Sequence, residues 1–91
     1  GAIPAQLGAL NKLIWLDLSH NQLSGPIPPE LGNLGALTTL NLAFNQLTGH
    51  IPPQLGDLGT LNNLRLSGNN LEGELNRSES VSFFLSSSKH A

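Results

Sequence analysis

The residues with the most obvious chemistry lie close together near the start of the chain. Asp17, Ser19 and His20 are the residue types of a hydrolytic triad, in which a base activates a hydroxyl nucleophile. A triad needs its members within hydrogen-bond reach of one another. On one extended strand, Asp17 and Ser19 project about 6–7 Å apart, and His20 starts on the opposite face. We therefore expect no triad here.

The sequence also lacks the patterns that hold metals and phosphates. His20, His50 and His90 have no i, i+4 spacing, and the chain contains no Cys. Zinc sites in proteins are built from clustered His, Cys and carboxylate ligands. No strand-linked glycine loop ending in Lys and Ser or Thr is present to cradle a phosphate. We predict that this segment is not an enzyme and has no catalytic residue, metal or cofactor.

Length and charge restrict the classes of partner. The chain has 91 residues, a net charge of -2 and only 11% charged residues, with no run of like charges. Such a surface offers no electrostatic footprint for nucleic acid or for an anionic membrane. No apolar stretch approaches the roughly 18 residues of a membrane span. We expect one small domain that contacts neither nucleic acid nor a membrane.

The elements that must position the polar residues belong to a repeat of 24 residues. The unit at residues 13–36 recurs at 37–60, between partial units at 1–12 and 61–75. The two full units share the letters L-x-x-L-x-L-x-x-N-Q-L-x-G-x-I-P-P-x-L-G-x-L-G. Self-similarity at a constant period is the signature of stacked repeats. Residues 76–91 depart from the pattern.

Each part of the repeat predicts a local structure. The Leu-x-Leu alternation predicts a short strand with one buried face, and successive strands stack in parallel about 4.8 Å apart. Each strand is followed by an asparagine whose amide we expect to bond interior backbone groups, namely Asn21, Asn45 and Asn69. A glycine then permits the next bend at Gly25, Gly49 and Gly73. The proline pairs at 28–29 and 52–53 favour a short 3₁₀ or helical turn.

This pattern resembles the plant-type leucine-rich repeat over residues 1–75, as found in ectodomains of receptor-like kinases and in polygalacturonase-inhibiting proteins. The resemblance implies an α/β repeat solenoid, with a short parallel β-sheet on the concave face and 3₁₀ or helical turns on the convex side. It also implies an extracellular or membrane-anchored ectodomain, although the chain itself contains no recognisable signal or transmembrane segment.

The positions that differ between repeats are concentrated in the strands. Strand alternation directs these side chains away from the leucine core, onto the concave face. Aromatic residues and Arg dominate interface hot spots. We predict a partner-binding face made of Trp15, Asp17, His20, Asn41, Phe44, Asn63 and Arg65. The alternative is that Trp15 and Phe44 pack over neighbouring repeats while Asp17 and Arg65 are merely solvated.

Three functions follow from these features. The preferred one is a module that binds a protein or peptide ligand through the concave face. The second, which the resemblance implies, is that the chain is part of a receptor-like kinase ectodomain that acts in signalling. The third is a truncated structural stub without a partner. Three strands supply about half of the roughly 800 Å² that a standard interface buries per partner.

The two ends of the repeat array raise further expectations. Ile3, Leu7 and Leu10 would leave an open apolar surface at the N-terminal end, through which copies could self-associate. The serine-rich tail at 76–91 is either disordered, as its composition favours, or an improvised cap over the last repeat. Asn76 opens an Asn-Arg-Ser triplet and is a candidate glycosylation site.

Overall fold

The fold is an array of short strands and 3₁₀ turns that recur once per repeat. The structure, a computed structural model, describes residues 1–73 and the strand at residues 83–84. Seven strands follow in chain order: β1 (Trp15–Asp17), β2 (Ser24–Gly25), β3 (Thr39–Asn41), β4 (Gln46–His50), β5 (Asn63–Arg65), β6 (Asn70–Glu72) and β7 (Phe83–Phe84). Three 3₁₀ helices lie between them: Ala5–Ala9, Pro29–Asn33 and Pro53–Asp57.

The first strands of successive repeats form one parallel sheet, the concave sheet, with the order β1-β3-β5-β7. Its register is one repeat per strand, so that Leu16 pairs with Leu40 and Leu40 pairs with Leu64. Two of the 3₁₀ helices begin at the second proline of a pair, Pro29 or Pro53, as the preset φ of proline favours. The predicted solenoid of parallel strands and 3₁₀ turns is confirmed.

The core consists of the repeated leucines and isoleucines. In the second and third repeats, the leucines within and next to the strands of the concave sheet are fully buried. The leucines of the 3₁₀ helices Pro29–Asn33 and Pro53–Asp57 are fully buried as well. The equivalent leucines of the first repeat, Leu13, Leu16, Leu18 and Leu23, are only partly buried. Interior packing is therefore tightest where a repeat has a neighbour on both sides.

The expected apolar surface at the N-terminal end is smaller than predicted. Ile3 is only 4% exposed, because it packs into the same core cluster as Ile27 and Leu31. Leu7 is partly buried, whereas Leu10 is 48% exposed. The prediction was therefore wrong for Ile3 and holds for Leu10.

A second parallel sheet, β2-β4-β6, was not predicted from the sequence. In each repeat, the strand of this second sheet begins shortly after the asparagine that follows the strand of the concave sheet. Leu23 lies just before β2, while Leu47 and Leu71 lie within β4 and β6 and are buried. The bends that we assigned to glycine do have positive φ, 78° at Gly25 and 85° at Gly49. Two strands per repeat, rather than one, thus link neighbouring repeats by backbone hydrogen bonds.

The backbone of β7 continues the concave sheet, since Phe83 pairs with Leu64 and Phe84 pairs with Arg65. The rest of the tail lies outside the described residues. The alternatives of a disordered tail and a cap, together with the candidate glycosylation site at Asn76, therefore stay predictions.

Candidate partner-binding face

The register of the concave sheet arranges the variable strand residues in two columns. Trp15, Thr39 and Asn63 form one column across β1, β3 and β5. Asp17, Asn41 and Arg65 form the next column, two residues further along each strand. In β1, β3 and β5 the leucine between the two columns points to the core, so both columns lie on the opposite surface of the sheet, which is the concave face.

The two aromatic residues of this face are exposed to different degrees and for different reasons. Trp15 is 67% exposed and lies at the start of β1. Phe44 is 52% exposed, and its ring stacks on that of His20, with ring centroids 4.6 Å apart and planes inclined by 18°. The alternative in which Phe44 packs over a neighbouring repeat therefore holds in part for this residue. Both side chains nevertheless leave half or more of their surface open to a partner.

A third column, of His20, Phe44 and Gly68, lies beyond the strand ends. His20 and Phe44 have left-handed backbones, with φ of 57° and 60°, and Gly68 has φ of 74°. The Phe44 ring lies against Gly68, where an added Cβ would come within 2.5 Å of the ring atom Cδ1. We expected strand alternation to place His20 on the opposite face. That was wrong, because β1 ends at Asp17 and the turn leaves His20 exposed, with its ring stacked on Phe44.

The Asp17 carboxylate is held by the residue two positions later. Its Oδ1 accepts a 2.6 Å hydrogen bond from the Ser19 hydroxyl and a 2.9 Å bond from the Ser19 backbone N–H. These two bonds, in that order of strength, lower the pKa of Asp17 below its ordinary value, and the nearby His20 lowers it further. We expected Asp17 and Ser19 to stay apart. They meet because the chain turns after the strand.

The contact between Asp17 and Ser19 does not create a triad. In a triad the hydroxyl donates to an imidazole, and the carboxylate accepts from the other imidazole nitrogen. Here the Ser19 hydroxyl donates to the carboxylate directly. The His20 ring stacks on Phe44 instead. The hydrogen bonds of this cluster therefore orient the Asp17 carboxylate.

Arg65 and Asn41 are oriented by similar local bonds. The Arg65 Nε–H donates to Oδ1 of Asn63, which precedes it by two residues on β5, over 3.3 Å. Asn41 Oδ1 accepts from the backbone N–H of Ala43 at 3.1 Å. The middle column of the concave sheet thus carries a carboxylate, a neutral amide and a guanidinium, each restrained by a neighbour in its own repeat.

Two of the three strand-ending asparagines join adjacent repeats beneath this face. Asn45 is 8% exposed; its Oδ1 accepts from the Leu23 N–H, and its Nδ2 donates to the carbonyls of Leu18 and Leu42. Asn69 is also 8% exposed and makes the equivalent bonds one repeat later. Asn21 differs because it is exposed, and within residues 1–73 it donates to Leu18 and Ser19 of its own repeat alone.

The described residues offer neither a metal site nor a membrane-spanning helix. Residues 1–73 contain no group of three or more His, Asp or Glu side chains that could hold a metal ion. The helical segments described there are single 3₁₀ turns of five residues, none long and apolar enough to cross a bilayer.

Comparison with solved structures supports the repeat architecture at high similarity. The structure of PEPR1–AtPEP1 superimposes with a TM-score of 0.80 at 51% identity, covering 82% of this chain and 11% of that one. The plant peptide hormone receptor RGFR1 in complex with RGF2 matches at 0.80 and 48%, covering 82% and 12%. The BIR3–SERK2 complex from Arabidopsis thaliana matches at 0.74 and 42%, covering 82% and 40%.

The chain spans about a tenth of the length of the PEPR1–AtPEP1 and RGFR1 chains that it matches. No match was found among the curated proteins. The sequence profile of the Leucine Rich Repeat family matches twice, at residues 12–34 and 36–58, which together make up half of the chain. These matches fall on the two full repeats and agree with the register of the concave sheet. The chain belongs to the Leucine Rich Repeat family, and its repeats are of the plant type.

Proposed function

We propose that this chain is a recognition module that binds a protein or an extended peptide on its concave face. The observation that carries the proposal is the contrast between the two sides of the concave strands. The inward side repeats the same leucines, while the outward side changes from Trp15, Asp17 and His20 to Asn63, Arg65 and Gly68. Packing explains the repeated side, and a partner explains the exposed aromatic and charged residues of the other.

The similar structures support this class of function. One is a peptide hormone receptor in complex with RGF2, and another is a complex between BIR3 and SERK2. A third is the Arabidopsis receptor kinase HAESA in complex with a peptide hormone and a co-receptor, at 46% identity over 74% of this chain. We infer that a peptide or a second repeat protein is the kind of partner that this face takes.

A second candidate is that the chain forms part of a receptor-kinase ectodomain. The matches to the receptors RGFR1 and HAESA favour it, since each covers at least 74% of this chain. The candidate predicts a membrane span and a kinase domain in the same open reading frame. Sequencing the transcript around this segment tests it, and a reading frame without these two features would exclude it.

The binding proposal is tested with a displayed library of random peptides selected against the full chain. Affinities of the selected peptides are then measured by calorimetry for the native chain and for Trp15→Ala/Phe44→Ala. Loss of an aromatic hot spot costs about 2 kcal/mol or more, so we expect affinity to fall about thirtyfold or more. Unchanged affinity would exclude the concave face as the binding site.

A matched control changes two exposed residues of the second sheet, Gln46→Ala/Thr48→Ala. These substitutions remove a similar number of exposed side chains from a different surface, so we expect wild-type affinity. Thermal melts of both double variants separate loss of contact from loss of fold. The aromatic variant supports the proposal only if it still unfolds cooperatively near the wild-type temperature.

We also infer that the segment performs no catalysis. In the part of the chain that the structure describes, the cluster of Asp17, Ser19 and His20 has the residue types of a nucleophile and a base, but its hydroxyl is bonded to the Asp17 carboxylate and the His20 ring is stacked on Phe44. An esterase assay on the full chain, with Ser19→Ala as the comparison, tests this inference. Turnover that disappears in the variant would overturn it.

A further inference from the structure

Within the proposed binding face, the middle column carries opposite charges at its two ends. Asp17 on β1 and Arg65 on β5 occupy the same register position, separated by Asn41 on β3. Two strand spacings amount to about 10 Å, too far for the two charges to neutralise each other as an ion pair. Both residues are exposed. The concave face therefore presents a negative and a positive charge at a set separation.

Each charge is restrained before any ligand arrives. Ser19 holds the Asp17 carboxylate through its hydroxyl and its N–H, at 2.6 and 2.9 Å. Asn63 accepts a 3.3 Å bond from Nε of Arg65, which leaves the terminal N–H groups of the guanidinium for other acceptors. Among residues 1–73, these two side chains hydrogen-bond only within their own repeats. Restraint of this kind reduces the entropy that binding must overcome.

The surroundings of the two charges are suited to an extended chain. Asp17 and Arg65 share one register position, so the line that joins the two charges runs across the strands of the concave sheet and not along them. The exposed ring of Trp15 lies on the same face as Asp17, two residues earlier on β1. Exposed aromatic rings are the usual contact for proline-rich segments in the polyproline II conformation.

The polyproline II repeat matches the spacing of the charges. This conformation has three residues per turn and rises about 3.1 Å per residue, so residues three apart lie on the same side, about 9 Å apart. That distance is close to two strand spacings of the sheet. A cationic and an anionic side chain placed three residues apart could therefore reach Asp17 and Arg65 together.

We propose that the concave face selects an extended, proline-rich peptide segment carrying a basic and an acidic residue three positions apart, the basic one at Asp17 and the acidic one at Arg65. The inference rests on the proposed binding function and adds the chemistry and spacing of the ligand. The lowered pKa of Asp17 agrees with it, because the carboxylate stays charged to lower pH than an ordinary aspartate and is charged together with a basic side chain at neutral pH.

The test uses capped proline-rich octapeptides and the fluorescence of Trp15, the one Trp of the chain. One peptide carries Lys and Glu three positions apart; a second carries them adjacent, and a third carries Gln in both places. We expect the first to bind about fivefold or more tighter than either control, because each exposed charge pair contributes only modestly. Its advantage should disappear as ionic strength rises from about 0.01 M to about 1 M.

Protein variants identify the two charges. Asp17→Lys and Arg65→Glu should each weaken the first peptide about fivefold, while the double reversal recovers most of the affinity because the peptide can bind in the opposite direction. Recovery in the double variant also shows that the single changes did not damage the fold. A double variant that binds no better than the single ones would overturn the assignment of these charges.

The outcomes separate this inference from the proposed function. If the peptides with adjacent charges or with Gln bind as tightly as the first, charge spacing is not read and the inference fails, although binding on the concave face stands. If none of the three changes the Trp15 fluorescence, the inference also fails, and the library selection then decides the proposed function by itself.

Discussion

Gly68 shows how one residue determines whether an aromatic side chain can occupy the binding face. The ring of Phe44 lies where a side chain at Gly68 would be, and the backbone of Gly68 has φ of 74°. Gly68→Ala therefore adds a steric contact with Phe44 to the cost of a left-handed backbone, which is about 1–2 kcal/mol for an L-residue. We expect this variant to lose at least that much stability in urea unfolding, together with part of the His20–Phe44 stack.

Two other glycines separate these effects. At Gly49 φ is 85° but an added Cβ meets nothing within 4 Å, so Gly49→Ala measures the backbone cost alone. At Gly59 neither condition applies, and Gly59→Ala should be close to neutral. The expected order of destabilisation is Gly68, Gly49 and then Gly59. Equal losses at Gly68 and Gly49 would mean that the Phe44 ring moves aside without cost.

The Asp17 carboxylate provides a test of local electrostatics. Its pKa is lowered chiefly by the Ser19 hydroxyl, so Ser19→Ala should raise the pKa toward the ordinary value, with the backbone N–H bond remaining. Because the folded pKa is the lower one, this carboxylate stabilises the fold above its ordinary pKa, and the contribution is lost as pH falls through the folded pKa. Carboxyl-carbon NMR titration of the two proteins measures the shift.

The repeat supplies a control for that titration. Ser67 occupies the position equivalent to Ser19 two repeats later, where Arg65 replaces the carboxylate. Ser67→Ala should leave the pKa of Asp17 unchanged. If Ser19→Ala has no effect either, the hydroxyl is not what lowers the pKa.

At the scale of the elements, the asparagines between the strands join one repeat to the next. Asn45 bonds the N–H of Leu23 and the carbonyl of Leu18, both in the preceding repeat. Asn45→Ala removes the acceptor of the Leu23 N–H, whereas the Leu18 and Leu42 carbonyls still accept from Asn21 and Asn69. A buried polar group without a partner costs about 1–3 kcal/mol, so we expect a loss of about that size in equilibrium urea unfolding.

Asn21 is the matched comparison because it has the same place in the repeat but is exposed, and the bonds that the structure describes for it stay within its own repeat. Water can replace its two bonds, so Asn21→Ala should cost about 0.5–1.5 kcal/mol. A loss at Asn21 as large as that at Asn45 would contradict the conclusion that the bonds between repeats carry the stability.

At the scale of the whole molecule, each repeat touches only its neighbours, and stability depends on how many neighbours it has. Leu40 lies in the central repeat and is fully buried, whereas the equivalent Leu16 is only partly buried. We expect Leu40→Ala to destabilise the chain by about 2–5 kcal/mol and Leu16→Ala by clearly less. Circular dichroism melts of the two variants and the native chain measure this difference.

The same melts test the hypothesis of a structural stub. A stub without cooperative packing would show no sigmoidal transition, and the two leucine variants would then look alike. A single transition that shifts more for Leu40→Ala indicates one cooperative unit. Sedimentation at several concentrations shows whether copies associate through the exposed Leu10 and its neighbours.

Much of the fold could be predicted because each repeated residue type favours one local structure. The leucines at alternating positions could only bury one face of a strand, and the proline pairs could only begin a turn. The same periodicity assigned Trp15, Asp17 and Arg65 to one outer surface without any knowledge of coordinates. The second sheet escaped prediction because β2 spans only two residues, and because Gly25 and Gly49, which we assigned to bends, lie within β2 and β4.

The arrangement of the binding face depended on contacts between residues distant in sequence. Strand alternation holds only within a strand, and it failed at Ser19 and His20 because β1 ends at Asp17 and the chain turns there. No local pattern could show that Phe44 would stack on His20 and lie against Gly68, one repeat away on either side. The sequence by itself determined the stacked repeat and the list of outward residues, since both follow from periodicity and burial. Only the tertiary structure decided which of those residues meet and which charges stay apart, because that depends on the register between repeats and on where each strand ends.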